Sequence, residues 1–191
     1  TTGGKNTAVG YEAMKANTIG RYNVALGFGA LNKNTTGEFN NAVGYYALRD
    51  NTIGQNNIAI GFEALKVNTT ASNNIAIGRS ALYTNTTGQY NTAVGYQSSY
   101  TNTTGEFNTA VGYQVLKANT IGKENVAIGS YALTTNTTAI RNVAVGGSAL
   151  RYNTTGEENT AVGYNSLNKN TTGKMNIGIG HFAMWTNTIG M

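Results

Sequence analysis

The sequence predicts an all-β fold, a β-solenoid (β-roll) of eleven 17-residue coils, and three observations predict it. The first is a strict period: Gly10 recurs as Gly27, Gly44, Gly61, Gly78, Gly95, Gly112, Gly129, Gly146, Gly163 and Gly180, while Asn6, Asn17 and Thr18 recur without a miss to Asn176, Asn187 and Thr188. A short fixed period along a whole chain means stacked coils, each meeting only its neighbours. The second is the spacing of breakers. A helix needs apolar residues near a 3.6 period over ten residues or more, and Asn and Gly interrupt this chain about every five to seven residues. The third is composition: 25 Gly, no Pro, no Cys and only 11% charged residues. Without Cys there are neither disulfides nor thiolate metal sites, so backbone pairing from coil to coil has to stabilise the array.

Within each unit the strand is the stretch typified by Asn125-Val126-Ala127-Ile128-Gly129. Its branched column runs Val9, Leu26, Val43, Ile60, Ile77, Val94, Val111, Ile128, Val145, Val162, Ile179. β-branched residues suit a packed pleated surface, so this column is expected in the core. A second core column runs Met14, Leu31, Leu48, Leu65, Leu82, Ser99 and Leu116 through Met184. Ser99 is its one polar member, and a local soft point is expected there. Asn-Thr-[Thr/Ile]-Gly reads as the connecting turn, where Gly or Asn takes positive φ cheaply. At the Gly20 position Ala71 and Ala139 replace glycine, so positive φ is not strictly required. An Asn and Thr ladder hydrogen-bonded from coil to coil is expected to explain the invariant rows. At about 4.8 Å per coil the rod is roughly 50 Å long.

The residue before the branched column is Ala in ten of eleven units and Gly178 in the last; the residue after it is always Gly. On a strand these point opposite to the branched residue. An all-small face suggests that another backbone packs against it, as in a strand buried on both sides. A 17-residue coil also encloses little volume. A parallel homotrimer is therefore expected.

The net charge is +5 and the pI about 9.4. Lys15, Arg49, Lys66, Lys117 and Arg151 share one repeat position. They read as a solvated rim rather than a nucleic-acid footprint. No run of 18 apolar residues marks a membrane span. Residues 1–191 are read as one repeat domain, a segment of a longer fibre with partial units at both ends.

Val126-Ala127-Ile128-Gly129-Ser130-Tyr131-Ala132 resembles the V-A-I-G-x-x-A head repeat of trimeric autotransporter adhesins, and Asn91-Thr92-Ala93-Val94-Gly95-Tyr96-Gln97 with Asn102-Thr103-Thr104-Gly105 is similar to repeats of phage tail fibres and bacterial surface fibre proteins. Such proteins often end in an endosialidase-type intramolecular chaperone domain, which has no counterpart here. The resemblance covers the whole chain, although the 17-residue period is longer than the usual adhesin head unit. It implies a trimerising parallel β-roll, at a cell surface or on a virion, that spaces a binding domain from its base.

Catalysis is poorly provided for, and no enzyme, cofactor or metal is expected. The chain has one His, one Asp and seven Glu. His181 occupies the aromatic position, and Glu157-Glu158 are not fixed as a carboxylate pair. Ca²⁺-binding repeats need Asp in nearly every coil. Gly27-Phe28-Gly29 and Gly178-Ile179-Gly180 open no helix, so no phosphate loop is expected. One surface column could bind: Tyr11, Phe28, Tyr45, Phe62, Tyr96, Tyr113 and Tyr164. It reads first as a structural ladder, and otherwise as a row for stacking cell-surface glycans. The Thr18 row raises ice binding, but a two-column Thr-x-Thr face is missing. Growth end to end into a filament, templated by open solenoid edges, is a further alternative.

Overall fold

The computed structural model describes residues 3–190. Each coil contributes one three-residue strand: β1 (Thr7–Val9), β2 (Val24–Leu26), β3 (Asn41–Val43), β4 (Ile58–Ile60), β5 (Ile75–Ile77), β6 (Thr92–Val94), β7 (Thr109–Val111), β8 (Val126–Ile128), β9 (Val143–Val145), β10 (Thr160–Val162) and β11 (Ile177–Ile179). They form one parallel sheet in chain order, always paired 17 residues on, so that Ala76 lies beside Ala93 and Ile77 beside Val94. No strand contacts any but its immediate neighbours. The chain is thus a parallel β-solenoid with 17-residue turns, and no helix occurs among the described residues.

The facing of the strand is the reverse of the sequence expectation. From Ala25 to Ala161 the alanines of this column, such as Ala42, Ala59, Ala76 and Ala93, are completely buried inside their own coil; only Ala8, in the end coil, is exposed. The branched column looks outward: Ile60, Ile77 and Ile128 are 37–40% exposed and Val9 62%. The interior of a coil this short has room for a methyl group opposite the leucines, not for two rows of branched side chains. The small row fills a narrow core and does not await a second backbone, so it no longer argues for a trimer. Ile77→Asp is accordingly expected to keep the parental circular dichroism spectrum and a cooperative melt, because its carboxylate reaches water. Loss of that cooperative transition would mean that Ile77 is inside, where an unpaired carboxylate costs several kcal/mol.

The leucine column is core, as expected, but it is not on a second strand. Gly10–Ala13, Glu12–Lys15 and Met14–Asn17 are closed by successive i to i+3 backbone hydrogen bonds of 3.1–3.4 Å. In two of these turns the third residue has positive φ, at Glu12 and Met14, as type II turns require. The same geometry recurs at Leu31, Leu48, Leu65, Leu82 and Leu116, with φ of 48–51°. Such a conformation costs a non-glycine residue on the order of 1–2 kcal/mol. Full burial of a leucine returns roughly 1.5–3 kcal/mol, and inter-coil hydrogen bonds such as Leu48 N–H to the Ala64 carbonyl, 2.9 Å, hold the turn. Burial therefore overrides local preference.

The apolar core is interrupted once. One cluster runs from Met14 to Ala93 and another from Ala110 to Leu167. Between them Ser98 and Ser99 replace Ala and Leu; both are buried, and the Ser98 hydroxyl donates to the Ala110 carbonyl at 2.9 Å. In the next coil Val115 stands where the other coils carry Ala or Ser, and it is completely buried. The added methyls return part of the volume Ser99 gives up. Hydrogen exchange should therefore show its weakest protection away from the rod ends at residues 95–102. Ser99→Leu combined with Val115→Ala should raise Tm; a lower Tm would show that Ser99 is not a packing defect.

Candidate functional site

Three kinds of row run along the rod, and each is built by the repeat. The first kind is interior. From Asn34 to Asn170 each Asn of the Asn17 column donates its side-chain N–H to the preceding Asn and to a turn carbonyl: Asn34 Nδ2 lies 2.9 Å from Asn17 Oδ1 and 3.0 Å from the Gly37 carbonyl. The Asn6 column does the complementary job. Asn40 N–H donates to Asn23 Oδ1 at 2.9 Å, and Asn23 Nδ2 reaches the same Gly37 carbonyl at 2.8 Å. Two ladders thus converge on one carbonyl per coil. No buried side-chain N or O among the described residues lacks a partner, which is what makes a polar interior tolerable. The Thr18 row belongs to this scaffold too. Thr18 Oγ1 donates to the Thr35 carbonyl at 3.0 Å, and the backbone N–H groups of Thr18, Ile19 and Gly20 point at that same oxygen from 3.0–3.2 Å. The expected Asn and Thr ladder is present.

The second kind is aromatic. The expected surface column is brought together as three stacks: Tyr11–Phe28–Tyr45–Phe62, with centroids 5.0–5.3 Å apart and planes within 21°, then Tyr96–Tyr113 at 5.3 Å, then Tyr164–His181 at 5.6 Å. Within each stack the rings turn their faces to each other. Arg79 caps Phe62 at 5.3 Å in the coil where the row breaks. His181 is a member of the ring stack, edge-on to Phe182 at 4.4 Å. Sequence reasoning missed two aromatic pairs just before four of the strands, Tyr22–Phe39 and Tyr90–Phe107, both stacked at 4.9 Å. The same 17-residue spacing could have found them.

The third kind is charged. Four of the five members of the shared basic position are engaged by their own chain: Lys15 pairs with Glu12 at 2.6 Å, Arg49 together with Lys33 holds Asp50, Lys66 meets Glu63 and lies over Tyr46 and Tyr83, and Arg151 lies 4.7 Å over Tyr131. Elsewhere charges alternate up the rod. Arg141 bridges Glu124 at 3.1 Å and Glu158 at 3.2 Å, while Glu157 pairs with Lys174 at 2.8 Å. Glu157 and Glu158 thus serve different cations. Burial alone would raise the Asp50 carboxyl, but hydrogen bonds from Arg49 and Lys33 outweigh it and hold the group below the usual carboxylate range. A depressed folded value adds stability that is complete above the unfolded value of about 3.9 and is lost as pH falls through the folded one. Asp50→Asn should therefore flatten the acid end of a Tm-against-pH curve while leaving stability above it nearly unaltered in slope. An unchanged acid limb would show that this ion cluster does not couple to folding.

Among the described residues no pocket opens and no group of three or more His, Asp or Glu could hold a metal. The arrangement has length, regularity and stacked rows. No protein-family model matches the chain, and no curated protein or solved structure matches it.

Proposed function

We propose that this chain is a shaft: a structural segment of a surface fibre, as in a phage tail fibre or a cell-surface adhesin, that holds a distal binding domain away from an anchoring base. The proposal places it outside the cell or on a virion. One observation carries it: eleven strands run in unbroken 17-residue register, and every coil is bonded only to the coils on either side. Load along the axis then passes through repeated backbone and side-chain ladders rather than through one joint. Two features favour a shaft over a gripping side wall. Within the Tyr11–Phe28–Tyr45–Phe62 stack the facing ring surfaces are taken up by neighbouring rings. The Thr18 hydroxyls are spent on the next coil.

The test is a length series. Whole coils, as copies of residues 75–91, are inserted into the rod, and the distance between dyes fixed near its two ends is measured by energy transfer. Each coil should add about 4.8 Å, the spacing of paired strands, with parental stability. Insertions of eight or nine residues should disrupt the rod. A distance that does not grow with whole coils, or that grows equally with partial ones, would overturn the shaft reading.

A further inference from the structure

The sheet has an outward face that nothing in the chain covers. It consists of two residues per strand, the first and third, which flank the buried alanine. Not one of these positions in β1 to β11 carries a charge, although the chain has 21 charged side chains (13 Lys and Arg, 8 Asp and Glu) to distribute. The row holding Ile60, Ile77 and Ile128 stays 37–40% exposed at these residues, and its companion row is Thr, Val, Ile and a single Asn. Beside them the Tyr90–Phe107 pair adds half-exposed aromatic surface. In the later coils that flank changes to the Glu124–Arg141–Glu158 ion ladder.

We infer that this face is where a second copy of the chain docks, sheet face to sheet face. Size is the first argument. Eleven strands and two side-chain rows make a surface of roughly 50 Å by 13 Å, about 650 Å² per chain. With its Thr and Asn side chains included, that is comparable with the ~300–600 Å² of the largest apolar patch on an ordinary monomer. A pair would bury about 1,300 Å², within the range of stable specific interfaces. Periodicity is the second argument, and it selects the occupant. The ridges repeat at the coil rise along the whole face. Only a partner with the same rise keeps its ridges in these grooves from one end to the other, and another copy has it by construction. The third is the rim: an uncharged centre edged by aromatic rings and paired charges is the anatomy of a protein interface. This inference goes beyond the shaft proposal and does not depend on it.

Sedimentation equilibrium over a range of protein concentrations tests it. The parent chain should associate beyond its single-chain mass of 20.1 kDa. The doubly substituted Ile77→Lys/Ile128→Lys variant should sediment as one chain with the parental circular dichroism spectrum. Thr92→Lys, at a position already polar, repeats the test where the double variant fails to fold. Thr87→Lys, on another side of the coil, should associate like the parent. A parent that stays at single-chain mass overturns the inference, as does a folded face variant that associates as the parent does. The length series reads distance within one chain, so the two proposals fail separately.

Discussion

Asn85→Leu should lower the melting temperature by about 10 °C, although it replaces a buried polar residue with an apolar one of similar size. Asn85 Nδ2 donates to Asn68 Oδ1 at 3.1 Å and to the Gly88 carbonyl at 2.9 Å, and its own Oδ1 accepts from Asn102 Nδ2 at 2.9 Å. The Gly88 carbonyl keeps a second donor, Asn74 Nδ2 at 2.9 Å. Asn68 Oδ1 and one N–H of Asn102 are left buried without that partner. Each such group costs about 1–3 kcal/mol, and at about 2–4 °C per kcal/mol for a chain of this size the sum is a large shift. Calorimetry decides the matter. A fall of only a degree or two would mean that the ladder relaxes around the gap and that the asparagines are not what holds the turns in register.

Gly78→Ala should do more damage still. Gly78 has a φ of +127°, a region that side-chain-bearing residues avoid, and a Cβ there would lie 2.5 Å from the Gly95 carbonyl oxygen and 2.7 Å from its carbon. Both are backbone atoms of the next coil, so the collision is relieved only by parting two coils. The loss should exceed 3 kcal/mol, the sum of a strained backbone and broken ladder bonds, and limited proteolysis should cut near this junction. Gly88→Ala separates strain from crowding. A Cβ there would also meet the carbonyl oxygen of the next coil, at Gly105, but its column does not have positive φ, and Ala71 and Ala139 already occupy it elsewhere in the rod. Equal effects at Gly78 and Gly88 would show that the glycine column at the strand end is not conformationally special.

Much of this architecture was legible in the sequence. The period set the coil length, the breakers excluded helices, and the invariant Asn and Thr rows marked the inter-coil ladders. The inward direction of the strand was not legible. Val and Ile signal burial in most sheets, and here the rule fails because Leu82 and Ala81 already fill the width of the coil, leaving room only for Ala76 across from them. The handedness of the leucine turns was hidden for a different reason. Local preference reserves positive φ for Gly and Asn, and nothing in the pattern A-L shows that inter-coil hydrogen bonds will impose it on Leu31 or Leu48. The aromatic column could be traced by spacing alone, but whether its rings meet face to face or stand apart depends on side-chain geometry that spacing does not record.

The buried asparagines also bear on where such a chain can be made. Asn34, Asn68, Asn85, Asn102, Asn136, Asn153 and Asn170 each begin an Asn-Thr-Thr triplet, the acceptor signal for N-linked sugar in a eukaryotic secretory pathway. In the folded rod all seven are sealed at 0–1% exposure, with the amide nitrogen that would carry the sugar spent on two hydrogen bonds. A glycan added to the nascent chain before it coils cannot be accommodated inside. Production in such a pathway therefore sets glycosyl transfer against folding at seven places, and every success of the transferase removes a coil.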